Sequence, residues 1–313
     1  MNSGNVMLTK VIMKIVITLL LLNVFSFAAS RVSLNHQAMF SSRSVLVGPN
    51  TPIYLLRTED SELMVEKKIN IFNHIPFRVE NDTLFIEVLV FIDYDMTIME
   101  EYDTEEKIIE HVLTMWDRVD ETYQHLKKTN IKINLAGIVI PKDSGVFNFF
   151  YKHDIDRLTV PAINYGKVMD DMGRWLYNHT DIFPSDSYDA FMISTDSPDV
   201  DHGIGNLVGG TAMTYGACRT ERYRRMTSRG GIIHDVDDFS YRHAVHELAH
   251  LIGIDHDQDT QCSNDTNTVM QAHNDGCTTT WSSCSENSFL ERYGKNWFPC
   301  LANIPKHFSL IIV

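Results

Sequence analysis

Three histidines and one glutamate in the last quarter of the chain have types and spacing that suit a catalytic metal site. His246 and His250 are four residues apart, so their imidazoles share one face of an α-helix, which has about 3.6 residues per turn. Glu247 follows the first histidine, where its carboxylate can reach a water held at the same ion. Gly253 can take a positive φ and end the helix, which turns His256 back toward the other two histidines.

Three nitrogen ligands that leave one coordination position open are typical of a catalytic zinc, whereas structural zinc sites are closed by a fourth protein ligand. The pattern H-E-x-x-H-x-x-G-x-x-H fixes five positions and is therefore specific. The alternative is an amphipathic helix whose histidines are solvated or satisfied by hydrogen bonds. We predict one zinc ion bound by His246, His250 and His256, with Glu247 as the catalytic residue.

This motif resembles the zinc motif of the metzincin metalloproteases, and Asp257 after the third histidine resembles their adamalysin (reprolysin) branch. The alternative branches, astacins and matrixins, are expected to have Glu or Ser at that place. Metzincins also carry a methionine turn beneath the metal, and Met270 lies at a fitting distance downstream. Flanking similarities extend the resemblance over about residues 84–305. The architecture also resembles that of secreted venom or salivary metalloproteases of arthropods.

The resemblance implies an α/β fold, the metzincin catalytic domain. Its sheet is twisted and mostly parallel, with crossover helices, an antiparallel edge strand over a zinc cleft and a smaller, irregular C-terminal subdomain. The order of elements in the sequence agrees, because helical patterns alternate with β-rich segments at 84–92, 131–140, 190–194 and 207–213.

Local signals place the helices. Asp103 and Glu106 have the spacing of a capping box, with Asp103 as the N-cap of a helix whose apolar stripe runs from Ile108 to Tyr123. We predict further helices at 168–177 and from about residue 239 through the histidine motif. The arginine-rich stretch 219–229 is predicted to be a solvated loop.

In function, the resemblance implies a secreted zinc metalloendopeptidase that hydrolyses peptide bonds through a zinc-activated water, with Glu247 as general base. Its partner is then an extracellular protein or peptide substrate, and a toxin of venom or saliva is the more specific expectation. The alternative is a catalytically weak, metalloprotease-like binding toxin. Loss of catalysis usually shows as a broken motif, and here all four motif residues are intact.

The resemblance also implies a calcium ion that bridges the first strand and the end of the chain. The matching positions are Glu87, Asp189, the carbonyl of Cys300, and Asn303. All of them offer oxygen ligands, as calcium requires. The alternative is a set of ordinary polar residues near a strand end.

Five cysteines lie in the last third of the chain, and the resemblance implies the disulfides Cys218–Cys300 and Cys262–Cys284. Cys277 is then left over, as a free thiol or as a link to another chain. Cys277–Cys284 and Cys262–Cys277 remain alternative pairings. We otherwise expect a monomer.

The N-terminus has the pattern of an export signal. Lys10 and Lys14 precede an apolar run that ends near residue 27, and small residues follow at 28–30. We predict a signal peptide over 1–29, because a membrane span needs about 20 apolar residues. Residues 30–80 are predicted to be a short pro-segment with little regular structure, and 81–313 the catalytic domain.

The predicted pro-segment has no cysteine, so inhibition through a thiolate on zinc is excluded and steric occlusion is the alternative. Lys67-Lys68 is a candidate processing site. The net charge of −14 argues against a nucleic-acid partner, and we predict no membrane span. Secretion would allow glycosylation at the sequons of Asn81, Asn178 and Asn264.

Overall fold

The computed structural model describes residues 51–69, 82–152, 162–199, 209–265, 267–272 and 278–306. All of them belong to the unit Ser44–Val313, whereas the unit Met1–Arg43 lies outside them. The predicted signal peptide, Asn81 and Cys277 therefore also lie outside the described residues. Within the described part of the chain, none of the helices is long and apolar enough to span a membrane.

The described strands are β1 (Pro52–Glu59), β2 (Glu62–Ile69), β3 (Thr83–Ile92), β4 (Asn130–Pro141), β5 (Ala190–Thr195), β6 (Gly210–Ala212), β7 (Thr220–Glu221), β8 (Met226–Thr227) and β9 (Gly230–His234). Seven of them form one sheet in the order β2-β1-β4-β3-β5-β9-β6, and β7 pairs with β8 alone. The five inner strands run parallel, whereas β2 and β6 are antiparallel edges. The prediction of a mostly parallel α/β sheet is confirmed.

The described α-helices are α1 (Tyr94–Thr97), α2 (Glu105–Tyr123), α3 (Phe149–Lys152), α4 (Tyr165–Asn178), α5 (Tyr241–Leu251) and α6 (Ser283–Gly294). Short 3-10 turns occur at Glu100–Tyr102, Asp257–Asp259 and Pro299–Ala302. Helix α2 packs on β4 and α5, and α4 packs on β8 and β9. The motif helix α5 is thus held between α2 and the sheet, because it also packs on β9 and β6.

The central strands are apolar throughout because both of their faces are covered. Every residue of β3 from Phe85 to Ile92 is buried, as expected for inner strands of a parallel sheet. An aromatic cluster fills one side of the core, where Phe91 contacts Phe147, Trp175, Phe183 and Phe191 at ring-centroid distances of 5.8–6.3 Å.

Helix α2 begins one residue later than the capping-box pattern predicts. Thr104 has extended backbone angles and its side chain accepts the N–H of Lys107 at 3.3 Å, so Thr104 is the N-cap. Asp103 instead pairs with Lys107 through its side chain, at 2.8 Å. Asp and Thr are both favoured N-cap residues, so the spacing of Asp103 to Glu106 could not show which of Asp103 and Thr104 caps the helix. The predicted apolar stripe of this helix is buried.

One strand was not predicted, and one segment contradicts its prediction. Strand β9 was not predicted, because it is five residues long and begins with two glycines, which are rare in strands. The stretch 219–229 was predicted to be a solvated loop, but it contains the β7–β8 pair, and Arg229 is only 4% exposed. The guanidinium of Arg229 donates to the carbonyls of Ser185 (3.0 Å) and Tyr188 (2.5 Å), which compensates for its burial.

The prediction of little regular structure in 30–80 is wrong for residues 52–69. Strands β1 and β2 form a hairpin over these residues, and β1 joins the main sheet beside β4. The sequence of β1 lacks the alternation of apolar and polar residues that predicts a strand with one exposed face, because its first five residues are all buried. The assignment of 30–80 as a pro-segment stays a prediction.

The N-cap of α2 gives a stability prediction. Thr104→Ala should lower the free energy of unfolding by about 1 kcal/mol, because the N–H of Lys107 loses its acceptor. Asp103→Ala is the matched control and should cost less than about half of that, since it removes only a surface ion pair. Urea unfolding of the two variants measures the difference. A larger loss for Asp103→Ala would restore Asp103 as the cap.

Candidate metal centre

Helix α5 presents the first two histidines because its opposite side is apolar and packed into the core. Ala244, Val245, Leu248 and Ala249 are buried, whereas His246 and His250 are partly exposed. The helix ends in a Schellman motif. The N–H of Gly253 donates to the carbonyl of His250 (3.1 Å), and that of Ile254 donates to the carbonyl of Ala249 (2.9 Å). Gly253 has the predicted positive φ, at 89°.

The turn after Gly253 brings the third histidine to the other two. The Nε2 atom of His256 lies 3.0 Å from Nε2 of His246 and 3.1 Å from Nε2 of His250. Among the described residues, these three form the one group of three or more His, Cys, Asp or Glu side chains arranged to hold a metal ion. Sequence reasoning therefore named the whole group.

In the two histidines of α5, a hydrogen bond to one ring nitrogen determines which nitrogen is left to bind a metal ion. Nδ1 of His246 lies 2.8 Å from the carbonyl oxygen of Val269, and Nδ1 of His250 lies 2.8 Å from that of Ile254. A carbonyl only accepts, so Nδ1 carries the proton in both rings and Nε2 presents a lone pair. One nitrogen from each of the three imidazoles lies within 4.8 Å of the other two, and two of these nitrogens carry a free lone pair, so this donor set fits a zinc ion.

The pKa values of the two helix histidines favour the same state. Burial, and then the charge of His250, lower the pKa of His246 to about 3. Burial, and then the charge of His256, lower the pKa of His250 to about 4. Both imidazoles are therefore neutral near pH 7, which is the form that binds metal.

Glu247 is buried between α5 and the edge strand β6. Its carboxyl is 6% exposed, and burial raises its pKa to about 8. A nearby cation favours the carboxylate and opposes that shift. Gly210 of β6 has to be a glycine, because a Cβ there would lie 2.7 Å from Cγ of Glu247. The edge strand and the carboxyl group are thus in direct contact.

The segment around Met270 is bonded to the chain that follows the third histidine. Met270 is fully buried, and its carbonyl accepts the N–H of Asp257 at 2.9 Å. The Asp257 side chain is 1% exposed and accepts hydroxyl hydrogen bonds from Thr268 and Ser282, each at 2.5 Å. Asp257 is therefore a buried link between the third histidine, the segment around Met270 and the start of α6.

A second link, on the outer side of the Gly253 turn, was not predicted. Arg292 of α6 donates to the carbonyl of Gly253 and to Asp255, whose carboxylate lies 2.5 Å from Nη2. The hydroxyl of Tyr215 also donates to Asp255, and the Arg292 guanidinium lies 4.8 Å from the Tyr215 ring centroid. No local sequence pattern predicts this cluster, because its members come from three separate parts of the chain.

His243 lies three residues before His246 in α5 and is not one of the three converging histidines. Its Nδ1 is 3.4 Å from the carbonyl oxygen of His234, and it does not belong to the three-histidine group. Burial lowers the pKa of His243, so its ring is also neutral near pH 7.

The residues named for calcium are brought together around Glu87, in the middle of β3. Asp189 accepts the N–H of Glu87 at 2.9 Å, and the Asn303 amide donates to Oε2 of Glu87 at 2.6 Å. Oε1 of Glu87 is buried and has no hydrogen-bond partner. Burial raises the pKa of both carboxyl groups. Cys300 joins this region through its disulfide to Cys218, whose N–H donates to the carbonyl of Asp189.

Both disulfides that the resemblance implied are present, Cys218–Cys300 with a Cα–Cα distance of 5.7 Å and Cys262–Cys284 with 6.0 Å. The second one leaves Cys277 without either of its alternative partners. Of the sequon asparagines, Asn178 and Asn264 are exposed.

The Arg292 cluster gives a prediction about metal affinity. Arg292→Met should raise the Kd for zinc by about 10–100-fold, because the turn that delivers His256 loses its outer support. Lys295→Met, one turn away and exposed, is the control and should leave the Kd unchanged. Competition with a chelator measures the Kd without any activity assay. Equal affinities in the two variants would remove Arg292 from the site.

Comparisons with known proteins agree with this geometry. Residues 191–305 match the Reprolysin (M12B) family of zinc metalloproteases. Venom metalloproteinase 3 of Eulophus pennicornis is 28% identical over 225 residues, which cover 69% of this chain and 51% of that protein. Venom metalloproteinase 1 of the same species is 30% identical over 184 residues, which cover 56% of this chain and 39% of that protein.

A third relative is a Bombyx mori protein named "A disintegrin and metalloproteinase with thrombospondin motifs like", 27% identical over 180 residues, which cover 56% of this chain and 25% of that protein. The chain thus spans about half or less of the length of these relatives. Residues 191–305, which hold the three converging histidines, are thus similar to reprolysin-type zinc metalloproteases, and the chain resembles venom metalloproteinases.

Proposed function

We propose that this chain is a secreted zinc endopeptidase that hydrolyses peptide bonds of extracellular proteins, with Glu247 as general base. The observation that carries the proposal is the convergence of three imidazoles, two of them neutral near pH 7, with a buried carboxyl group next to the first of them in the chain. His246, His250 and His256 would hold the metal. Zinc, when bound, supplies a Lewis acid that polarises a carbonyl and lowers the pKa of a water.

Glu247 would act on both sides of the reaction. Its carboxylate would take a proton from the attacking water and then deliver that proton to the amine of the leaving peptide. Burial raises the pKa of this carboxyl to about 8, and a zinc ion bound nearby would lower it again, so that the carboxylate is the form that meets the water. No serine or cysteine nucleophile is needed.

The edge strand β6 would align the substrate. Among the described residues it pairs with β9 alone, so its other edge would offer backbone N–H and C=O groups to an extended peptide. Gly210 brings this edge against Glu247, so a peptide bound there would pass the reacting groups. Main-chain pairing of this kind favours extended protein segments over small molecules as substrates.

Export and a role in venom or saliva complete the proposal. The pattern of 1–29 supports a signal peptide, and two disulfides suit an oxidising compartment. The exposure of Asn178 and Asn264 supports glycosylation at these two sequons. We propose a monomer that acts as a toxin, by analogy with relatives named venom metalloproteinases.

Glu247→Gln tests the proposed general base. The amide cannot accept the proton, so kcat/KM for a peptide substrate should fall at least about 100-fold, while zinc stays bound at one ion per chain. Glu291→Gln, an exposed carboxylate on α6, is the matched control and should keep wild-type activity. Full activity in Glu247→Gln would exclude the role. A wild type that binds zinc but cleaves no peptide library would favour the binding-toxin alternative.

We also propose calcium at Glu87, Asp189, Asn303 and the Cys300 carbonyl, because Oε1 of Glu87 is buried without a partner. At a hundredfold excess over Kd, calcium should raise Tm by about 5–10 °C. Glu87→Gln should abolish most of this rise, whereas Asp186→Asn, an exposed carboxylate nearby, should preserve it. A Tm of the wild type that does not respond to calcium would exclude the site.

A further inference from the structure

We propose that the hairpin of residues 52–69 is a permanent part of the folded domain. It should stay bound to the outer edge of β4 when the chain is cut between Ile69 and Thr83, and it should not block the candidate metal centre. The interaction surface is thus the outer edge of β4 with the apolar core beside it, and its partner is this segment of the same chain. Residues 52–69 fall within the predicted pro-segment 30–80, which would be removed from a mature enzyme.

Backbone pairing fixes the hairpin in the sheet. Strand β1 pairs in parallel with β4 from Ile53↔Ile138 to Leu56↔Pro141. Two further hydrogen bonds extend the contact beyond the end of β4. The N–H of Lys142 donates to the carbonyl of Leu56 at 2.7 Å, and the N–H of Thr58 donates to the Asp143 side chain at 2.7 Å. Removal of β1 would leave buried N–H and C=O groups of β4 without partners, which makes an exposed edge prone to aggregation.

Side chains of β1 complete the main core. Ile53, Tyr54, Leu55 and Leu56 are all at most 8% exposed, and Leu56 is fully buried. Tyr54 and Leu56 belong to the same apolar cluster as the aromatic residues of β3, β5 and α4. The Tyr54 ring centroid lies 4.8 Å from that of Phe183. The hairpin is therefore packed as a core element and not as a loosely attached cover.

Charged groups hold the second strand. Glu105, at the start of α2, accepts from Lys68 of β2 at 2.8 Å and from Lys142 after β4 at 2.9 Å. Lys67 lies 5.4 Å from the Tyr54 ring centroid. Both lysines of the candidate processing site are thus within a paired strand, opposite Tyr54 and Ile53. A protease needs an extended segment free of such pairing, so this position is a poor place to cut.

The position of the hairpin separates it from the candidate metal centre. In the sheet order, β4, β3, β5 and β9 lie between β1 and β6, the strand beside Glu247. Five strand spacings of about 4.8 Å each place the hairpin about 24 Å from β6 along the sheet. Steric occlusion, proposed for the predicted pro-segment, cannot therefore come from residues 52–69.

A chain that can be cut after folding tests the proposal. A recognition sequence for a specific protease is inserted between Ile69 and Thr83 of the full chain, the folded protein is cleaved, and completeness is checked on a denaturing gel. Size-exclusion chromatography under native conditions should then show the N-terminal fragment eluting with the remainder in equal amounts. Zinc affinity should change less than twofold. Release of the fragment, or a rise in peptidase activity when it leaves, would overturn the proposal.

Two variants of the cleavable chain show whether the described contacts hold the fragment. Leu56→Asp should release it after cleavage, because a carboxylate would replace a fully buried side chain. Met64→Asp on β2 is the matched control, since Met64 is 39% exposed, and it should retain the fragment. Tyr54→Ala serves the same purpose if Leu56→Asp does not fold. Equal retention in all variants would contradict the role of this packing. Retention is measured without substrate, so failure of the proposed peptidase activity would not affect this test.

Discussion

The convergence of three imidazole nitrogens on one point constrains the whole C-terminal third of the chain, because a straight helix can bring only two of them together. His246 and His250 share a face of α5, but His256 reaches them only if the chain reverses within a few residues. Gly253 at φ 89° makes that reversal, and the Schellman hydrogen bonds of the helix end fix its direction. Three imidazole nitrogens then face one another, an arrangement that suits a cation between them.

The rest of this region supports the reversed segment from two sides. On the inside, Asp257 is buried, and hydroxyl groups of Thr268 and Ser282 satisfy its carboxylate without a counter-cation. On the outside, Arg292 holds the carbonyl of Gly253 and the carboxylate of Asp255. Both supports depend on the position of α6, and the disulfide Cys262–Cys284 joins the first turn of that helix to the segment after the third histidine. The histidine that lies outside the helix is therefore held in a segment that has tertiary contacts on both sides.

The two edge strands of the sheet differ in how readily they can pair with a further strand. Strand β6 is three residues long, lies against Glu247 and has β9 as its one strand partner in the described part of the chain, which suits the proposed binding of an extended peptide. At the opposite edge, β1 closes the buried strand β4, and β2 faces outward with exposed charged residues such as Glu66 and Lys67. Charged outer strands discourage further pairing. The sheet is thus open to pairing beside the candidate metal centre and protected at the far side.

The metal ligands and the alternation of strands and helices could be predicted from the sequence, because both depend on contacts or periodicities within a few residues. The H-E-x-x-H spacing, the glycine at 253 and the apolar runs of β3 and β4 are signals of this kind. The N-cap of α2, the glycine-rich strand β9 and the hairpin 52–69 were missed or misplaced, because neighbours distant in sequence determine them. The Tyr215–Asp255–Arg292 cluster joins residues up to 77 positions apart. Only the folded chain brings such residues within hydrogen-bonding distance, and no pattern along the sequence records that.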